Sequence, residues 1–573
     1  MNKTAIYHLS DLPYAFPIDE NTLRVRLQTE KNDIKEAYVH YIDRYVTSDN
    51  YTKKKMDLWL ETELFDYYIA DISQKYNRYR YFFELIDDED NHLFYNERGF
   101  YTIAPNTYDS FGFIYPYIAK TDLYDGVDWL KNGVVYQVFP ARFARGNEHP
   151  NALPWGSVKE NVVIEMDFGG DLRGIINHIP YLSDLGITIL YMTPIFKSPS
   201  NHKYDTEDYF SVDPSFGTDD DLVELVKKCH DVGIRVVLDA VLNHSGDRFF
   251  AFLDVLKNQE KSKYSSWYYL EDFPVTQNPH NYYTFANDCV GMPKLNYSCK
   301  ELRDYFLNFA TYWIKKADID GWRLDIGNEV PHEFWKDFKK EVRKIKKDFI
   351  ISGEVFNNAS PFLRGDEFDS VMNYMFRYSL TNFLASNNFD AAKAMSFIDN
   401  NKTLYTDQIN SHLWNLIDSH DTQRFLTDCK GNVNLLKLAC VMQFTMIGVP
   451  FVYYGTEVGM EGKNDPDNRR CMLWENQNLN LFDFYKKMIK IRKENEALIS
   501  GSMKVLCALD DILIYERIKD GELIRVYINR GKEEYNALIE DNLTNLFTEE
   551  KLNASKVIIG GEDFLILKGV KNG

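Results

Sequence analysis

A chain of 573 residues is longer than one hydrophobic core usually organises, so the length predicts two or three domains. The composition, 45% hydrophobic and 27% charged, is that of a globular protein, and no apolar run reaches the roughly 20 residues that span a bilayer. The net charge of −20 argues against a nucleic-acid partner, because a polyphosphate requires a basic face.

Residues 1–20 contain no continuous hydrophobic stretch of the signal-peptide kind. The seven cysteines are scattered without a metal-binding spacing, which is typical of reduced thiols. We therefore expect a cytoplasmic protein with no membrane partner.

The elements change character along the chain. Short alternating runs between Leu23 and Ile118 predict an N-terminal β-sandwich. Beyond residue 122, continuous apolar strands alternate with amphipathic helices, one of which begins after an N-cap at Thr218, and this alternation is typical of parallel β/α units. Eight strands are predicted, the number that closes a barrel: Val134–Phe139, Ile187–Met192, Arg235–Asp239, Gly321–Asp325, Phe349–Glu354, Phe368–Asn373, His412–Ile417 and Val449–Tyr454.

The segment between His244 and Asn296 is too long for an ordinary loop and predicts a lid or small subdomain. Alternation returns after Gly501. The predicted fold class is α/β, a (β/α)8 TIM barrel with an N-terminal β-sandwich and a C-terminal all-β domain. The predicted domains are residues 1–122, residues 123–500 with the insertion at 244–296, and residues 501–573.

Carboxylates end several predicted barrel strands: Asp239, Asp325, Glu354, Asp418 and Asp421. A single one would indicate a cap or a surface charge. Several carboxylates at one rim of the barrel are costly, because negative charges close together raise one another's pKa. Such a cluster therefore indicates catalysis or metal binding. The basic neighbours favour an acid/base site over a divalent metal: Arg323, His244 and His420.

Four segments make the pattern specific: Asp239–His244 (DAVLNH), Gly321–Asp325 (GWRLD), Gly353–Val355 (GEV) and Asp418–Thr422 (DSHDT). In order and spacing they resemble the four signature regions of the α-amylase superfamily. Met292–Asn296 (MPKLN), together with Asn328 and Glu329, resembles the neopullulanase, cyclomaltodextrinase and maltogenic amylase branch. The resemblance covers nearly the whole chain.

The resemblance implies that Asp325 is the nucleophile, Glu354 the general acid/base and Asp421 the stabiliser of the charged transition state. Arg323, two residues before Asp325 on the same strand face, should keep the nucleophile ionised. A retaining mechanism requires Asp325 and Glu354 to lie roughly 5 to 5.5 Å apart.

The resemblance also implies the sugar-binding residues. Tyr204 would stack on the sugar next to the cleaved bond, and Asp205, His244 and His420 would bind it; Asp465 and Arg469 would close the next subsite. Residues 355–357, Val-Phe-Asn, differ from the Trp-His that this branch commonly shows after the glutamate. The resemblance therefore does not predict the shape of the acceptor side or the extent of transglycosylation.

A loop near Asn147 and Asp171 is similar to a calcium loop of the family, and these two residues are the candidate metal ligands. Arg145 and Ala152 replace two ligand positions, and an inserted guanidinium would repel a divalent ion. We therefore expect no required cofactor, and a structural calcium ion is disfavoured.

The expected reaction is retaining hydrolysis of α-1,4 glucosidic bonds in cyclodextrins, pullulan and short maltooligosaccharides, with α-1,6 bonds as a further candidate. The alternatives are a transglycosylating 4-α-glucanotransferase, an open-cleft α-amylase on starch and a non-catalytic binding module. The three carboxylates argue against the last of these. The branch further implies a homodimer through the N-terminal domain.

Overall fold

The computed structural model describes residues 1–105, 112–124, 126–539, 542–553 and 555–570. They form two compact units, Met1–Gly126 with Ala392–Asn410, and Val127–Ala391 with Ser411–Gly573. The predicted boundaries after residues 122 and 500 stay predictions.

The first unit contains two antiparallel sheets. In spatial order the strands of the first are Ala15–Asp19, Thr22–Glu30, Phe65–Ser73 and Asp57–Glu61, and those of the second are Thr52–Lys55, Glu36–Asp43, Tyr79–Ile86, His92–Asn96 and Gly99–Tyr101, with Phe113–Tyr115 on Tyr79–Ile86. Alternate residues, such as Leu23 and Val25 in one sheet and Val39 and Phe83 in the other, share one core. The predicted β-sandwich is confirmed.

Two helices complete this unit, the part of Ala391–Thr403 from residue 392 onward and Asp407–Asn410. Arg26, only 1% exposed, donates to Asp407 Oδ1 at 2.8 Å and to the carbonyl of Tyr405 at 2.7 Å. Burial lowers the pKa of Arg26 to about 10, an effect that Asp407 opposes. The partners are needed because an unpaired buried guanidinium is costly.

The second unit contains an eight-stranded parallel sheet in which chain neighbours are spatial neighbours. A parallel bridge between Met372 and Trp414 joins its two edges, so the barrel is closed. All eight predicted strands are confirmed, with these bounds: Val135–Val138, Ile189–Met192, Arg235–Val241, Gly321–Asp325, Ile350–Gly353, Ser370–Val371, Trp414–Leu416 and Val449–Tyr453.

The longer helices of this unit are Asp219–Asp231, Phe250–Asn258, Lys300–Ala317, His332–Ile345, Val433–Thr445 and Leu479–Lys493. Thr218 caps Asp219–Asp231 as predicted, because its side chain accepts a hydrogen bond from the Asp221 amide. Apolar helix faces cover a barrel whose strands are buried on both sides, as a parallel sheet requires. In the part of the chain that the structure describes, no helix is long and apolar enough to cross a membrane.

The predicted insertion contains the helix Phe250–Asn258 and the antiparallel strands Thr284–Phe285 and Cys289–Pro293. A bridge between His244 and Lys294 ties its end to the barrel rim. The C-terminal sheets contain Ser502–Leu509, Ile512–Lys519, Glu522–Asn529, Tyr535–Ile539, Leu543–Asn545, Lys551–Leu552, Ser555–Ile559 and Asp563–Val570. Their antiparallel pairing confirms the predicted all-β region.

Candidate active site

One buried guanidinium joins three carboxylates at the carboxyl ends of neighbouring barrel strands. Arg323 Nη1 donates to Asp239 Oδ2 at 2.9 Å and to Asp325 Oδ1 at 3.0 Å. Arg323 Nη2 lies 2.8 Å from Glu354 Oε2. The Arg323 side chain is inaccessible to solvent, so its charge depends on nearby acids for compensation, and these three contact it directly.

The backbone explains how these side chains converge. Arg323 and Asp325 are two residues apart on Gly321–Asp325 and therefore point to the same face of the strand. Ile326, the next residue, has φ of 45°, a left-handed conformation that is rare for a β-branched side chain. Its amide donates to Glu354 Oε2 at 3.0 Å, so the strained residue helps to hold the second carboxylate.

Gly353 allows the same convergence from the next strand. A Cβ atom at this position would lie 2.4 Å from the Phe368 ring, closer than atoms can pack. Glycine therefore lets Phe368 cover the strand directly before Glu354.

A second guanidinium organises Asp421. Arg469 Nη2 lies 3.2 Å from Asp421 Oδ1, and Arg469 Nε lies 3.0 Å from Asp465 Oδ1. His420 Nε2 lies 3.2 Å from Asp421 Oδ2. Asp421, Asp465, Arg469 and His420, which the sequence placed at one site, thus lie together.

Tyr204 connects the two groups. Its hydroxyl donates to Asp239 Oδ2 at 3.2 Å and contacts His420 Nε2, and its ring is parallel to that of His420 at 5.6 Å. The side-chain amide of Gln137 donates a hydrogen bond to His420 Nδ1 at 2.7 Å. Because Nδ1 is the acceptor, the neutral imidazole carries its proton on Nε2. Burial lowers the pKa of His420 well below its usual value, in agreement with this neutral tautomer.

The remaining predicted sugar-binding residues lie beside this group. His244 Nε2 donates to the carbonyl of Tyr204 at 3.2 Å, and burial lowers the pKa of His244 to about 3. Asp205 Oδ1 accepts from the hydroxyls of Ser198 and Ser200. The two serines therefore orient the Asp205 side chain, and Asp205 directly follows Tyr204 in the chain.

Burial and mutual repulsion shift the acids of this site. Burial, followed by the Glu354 carboxylate, raises the pKa of Asp325 well above its usual value, and Arg323 opposes the shift. The same two causes raise the pKa of Asp421 to about 7, and burial raises that of Asp239 to about 6. The positive charge of Arg323 therefore does not offset the full cost of burying these acids. The predictions of an ionised Asp325 and of a 5 to 5.5 Å separation between the carboxyl groups of Asp325 and Glu354 stay predictions.

Several contributing residues were absent from the predicted site. Asp239 was recognised as a strand end but not as a partner of Arg323. Gln137 could have been found from the sequence, because it is a lone side-chain amide within the apolar strand Val135–Val138. Phe356 was visible only as a departure from the family pattern; its ring, 52% exposed, lies parallel to that of Tyr374 at 4.0 Å.

The residues near Asn147 and Asp171 do not fit a calcium ion. Asp171 Oδ1 accepts from the amides of Gly146 and Gly174, and its Oδ2 accepts from the Asn147 amide at 2.9 Å and lies 3.0 Å from His149 Nε2. These N–H donors occupy the oxygens that would ligate a metal.

Neighbouring carbonyl oxygens accept hydrogen bonds from the guanidinium of Arg145. Arg145 donates to the carbonyl of Phe168 at 3.0 Å and to that of Leu153 at 2.8 Å. Within the described ranges, no group of three or more His, Cys, Asp or Glu residues is arranged to hold a metal ion.

Most glycoside hydrolases use a pair of carboxylates, and a (β/α)8 barrel carries its active site at the carboxyl rim, where these acids lie. Residues 137–480 match the model of the α-amylase catalytic domain, and residues 1–119 match that of the α-amylase N-terminal ig-like domain. The chain is 46% identical to a cyclomaltodextrinase of Thermoanaerobacter pseudethanolicus, covering 93% of each, and 41% identical to neopullulanase 2 of Thermoactinomyces vulgaris, covering 92% of each.

A solved cyclomaltodextrinase structure matches 99% of this chain and 100% of its own, with a TM-score of 0.94 and 37% identity. The chain therefore belongs to the α-amylase family and is a glycoside hydrolase of the cyclomaltodextrinase and neopullulanase type.

The contacts of Arg145 predict a stability that does not depend on metal. We expect excess EDTA, or added calcium, to leave the midpoint of thermal unfolding unchanged. Arg145→Gln should lower the free energy of unfolding by about 1 to 3 kcal/mol, because two carbonyls lose a charged donor. A midpoint that EDTA lowers and calcium restores in the unsubstituted protein would refute this prediction.

The raised pKa of Asp421 predicts a pH-dependent stability. Because its pKa is about 7 in the folded protein and about 4 in an unfolded chain, its stabilising contribution is complete below pH 4 and is lost as pH rises through 7. Relative to the unsubstituted protein, Asp421→Asn should therefore gain about 2 to 3 kcal/mol more stability at pH 8 than at pH 5.

Urea unfolding at the two pH values measures this difference, with the exposed Asp231→Asn on helix Asp219–Asp231 as the control. A gain for Asp421→Asn that is equal at both pH values would contradict the raised pKa.

Proposed function

We propose that this protein hydrolyses α-glucosidic bonds with retention, with Asp325 as nucleophile, Glu354 as general acid/base and Asp421 as stabiliser of the transition state. The observation that carries the proposal is the shared guanidinium: Arg323 binds Asp325 and lies beside Glu354, so the two acids flank one point at the barrel rim.

The reaction has two steps. An oxygen of Asp325 attacks the anomeric carbon, while the proton of Glu354 passes to the leaving glycosidic oxygen. Water then attacks the glycosyl-enzyme, Glu354 accepts its proton, and the sugar leaves with its original α configuration.

The charge balance of the site suits this chemistry. The carboxyl groups of Asp239, Asp325, Glu354 and Asp421 face two guanidinium groups, Arg323 and Arg469. A transition state with positive charge on the sugar ring relieves the repulsion among the acids, whereas a neutral substrate does not.

The proposed substrates are cyclodextrins, pullulan and short maltooligosaccharides, with cleavage of α-1,4 and also α-1,6 bonds. The names of the similar proteins, cyclomaltodextrinase and neopullulanase, support this class. We further propose a homodimer through the N-terminal domain, whose partner subunit narrows access to the site. A cytoplasmic location is supported by seven cysteines that are all unpaired.

The assigned roles predict different losses in two variants. Asp325→Asn should lower kcat about 10⁴-fold or more on every substrate. Glu354→Gln should lower kcat on maltotriose about 10²- to 10⁴-fold, but much less on 4-nitrophenyl α-maltoside, whose leaving group needs little protonation. Asp231→Asn is the control, and NMR of the first product should show the α anomer.

A product of inverted configuration would overturn the retaining mechanism. Equal losses for Glu354→Gln on both substrates would overturn its role as the acid. Thermal unfolding of each variant separates these outcomes from misfolding.

The proposed dimer and substrate class predict a shielded site. We expect light scattering to give the mass of two chains at micromolar concentration, and we expect β-cyclodextrin to be consumed faster than an equal mass of soluble starch. Chromatography of the products over time measures the rates. A monomer that prefers starch would contradict the proposal and indicate an open cleft.

A further inference from the structure

Two separate pairs of stacked rings involve the inserted segment that follows the active site. The Phe285 ring is stacked on His244, with centroids 5.3 Å apart. Farther along, the rings of Tyr283 and Tyr269 are stacked on each other at 5.6 Å and 21°. One pair thus includes a residue of the site, and the other is an exposed tyrosine pair whose Tyr283 is two residues from Phe285.

Strand alternation places these rings on one face. Tyr283 and Phe285 are two residues apart in an extended segment that continues into Thr284–Phe285, so their side chains point the same way, about 7 Å apart along the strand. The Tyr283 amide donates to the carbonyl of Tyr269 at 2.9 Å, which brings the two tyrosines side by side.

The tyrosine pair is not needed to pack the segment. The alternate residues Tyr268 and Tyr282 point inward and are buried, with hydroxyls bonded to Ser245 and to the carbonyl of Val290. Tyr283 is 58% exposed and Tyr269 37% exposed. Single exposed apolar groups are ordinary on protein surfaces, whereas an exposed stacked pair two residues from a ring of the site is a preformed platform.

The backbone of this platform is tied to the catalytic rim. The Lys294 amide donates to the carbonyl of Tyr283 at 2.9 Å, and Lys294 Nζ lies 2.9 Å from Glu329 Oε2 and contacts Asn243. Asn243 and Glu329 follow two of the barrel strands. The position of the tyrosines relative to the site is therefore set by hydrogen bonds and an ion pair.

We propose that Tyr283 and Tyr269 form a remote subsite that binds glucose units of the longer maltooligosaccharides, several positions away from the bond that is cleaved. A tyrosine ring offers a flat apolar face to the C–H side of a glucose ring and a polar edge to its hydroxyls, and it loses little conformational entropy on binding. The inference rests on the proposed function, since it assigns this surface to the same substrate.

The test compares substrates of two lengths. Tyr283→Ala should raise KM for maltoheptaose about three- to tenfold at unchanged kcat and leave both constants for maltotriose unchanged, because only the longer chain reaches the platform. Tyr269→Ala should have a smaller effect in the same direction. Tyr283→Phe keeps the ring and should behave like the unsubstituted enzyme, and the exposed Tyr76→Ala in the other compact unit is the matched control.

Calorimetric titration provides a measurement that does not require turnover. In the Asp325→Asn background, Tyr283→Ala should raise the Kd for maltoheptaose by the same three- to tenfold factor. Equal effects on both substrate lengths, or no effect on either, would overturn the remote subsite. If the unsubstituted enzyme cleaves no α-glucan, the proposed function fails, and the titration alone then decides whether the platform binds.

Discussion

The structure of the active site depends on one buried cation. Arg323 has no access to water, and its charge is compensated by direct contacts with Asp239, Asp325 and Glu354. Removing Arg323 would leave three desolvated acids without this cation, which costs several kcal/mol. The same constraint fixes the three strands that carry these acids, since their carboxyl ends must meet within the reach of one guanidinium.

The acids are held at a cost in stability. Desolvation raises the pKa of Asp239, Asp325 and Asp421. Ile326 adds a strained backbone at the same point. Such groups are retained because a substrate that develops positive charge gains from them, so the protein exchanges folding stability for transition-state stabilisation.

Arginine organises other parts of the molecule in the same way. Arg469 holds Asp421 and Asp465, Arg145 fills a loop with a guanidinium bound to carbonyl oxygens, and Arg26 joins the segment 392–410 to the N-terminal sandwich. A planar, permanently charged donor of several hydrogen bonds suits each place. In the loop next to Asp171, this donor removes the oxygens that a calcium ion would need.

The sequence by itself determined the eight barrel strands, the two β-regions and the carboxylates at strand ends, because burial on both faces, alternation and strand-end position are local patterns. It could not show that Asp239 shares Arg323 with Asp325, that segment 392–410 belongs to the first compact unit, or that Tyr269 stacks on Tyr283. Only the tertiary structure decided these, since each is a contact between distant segments whose geometry depends on how the whole chain packs.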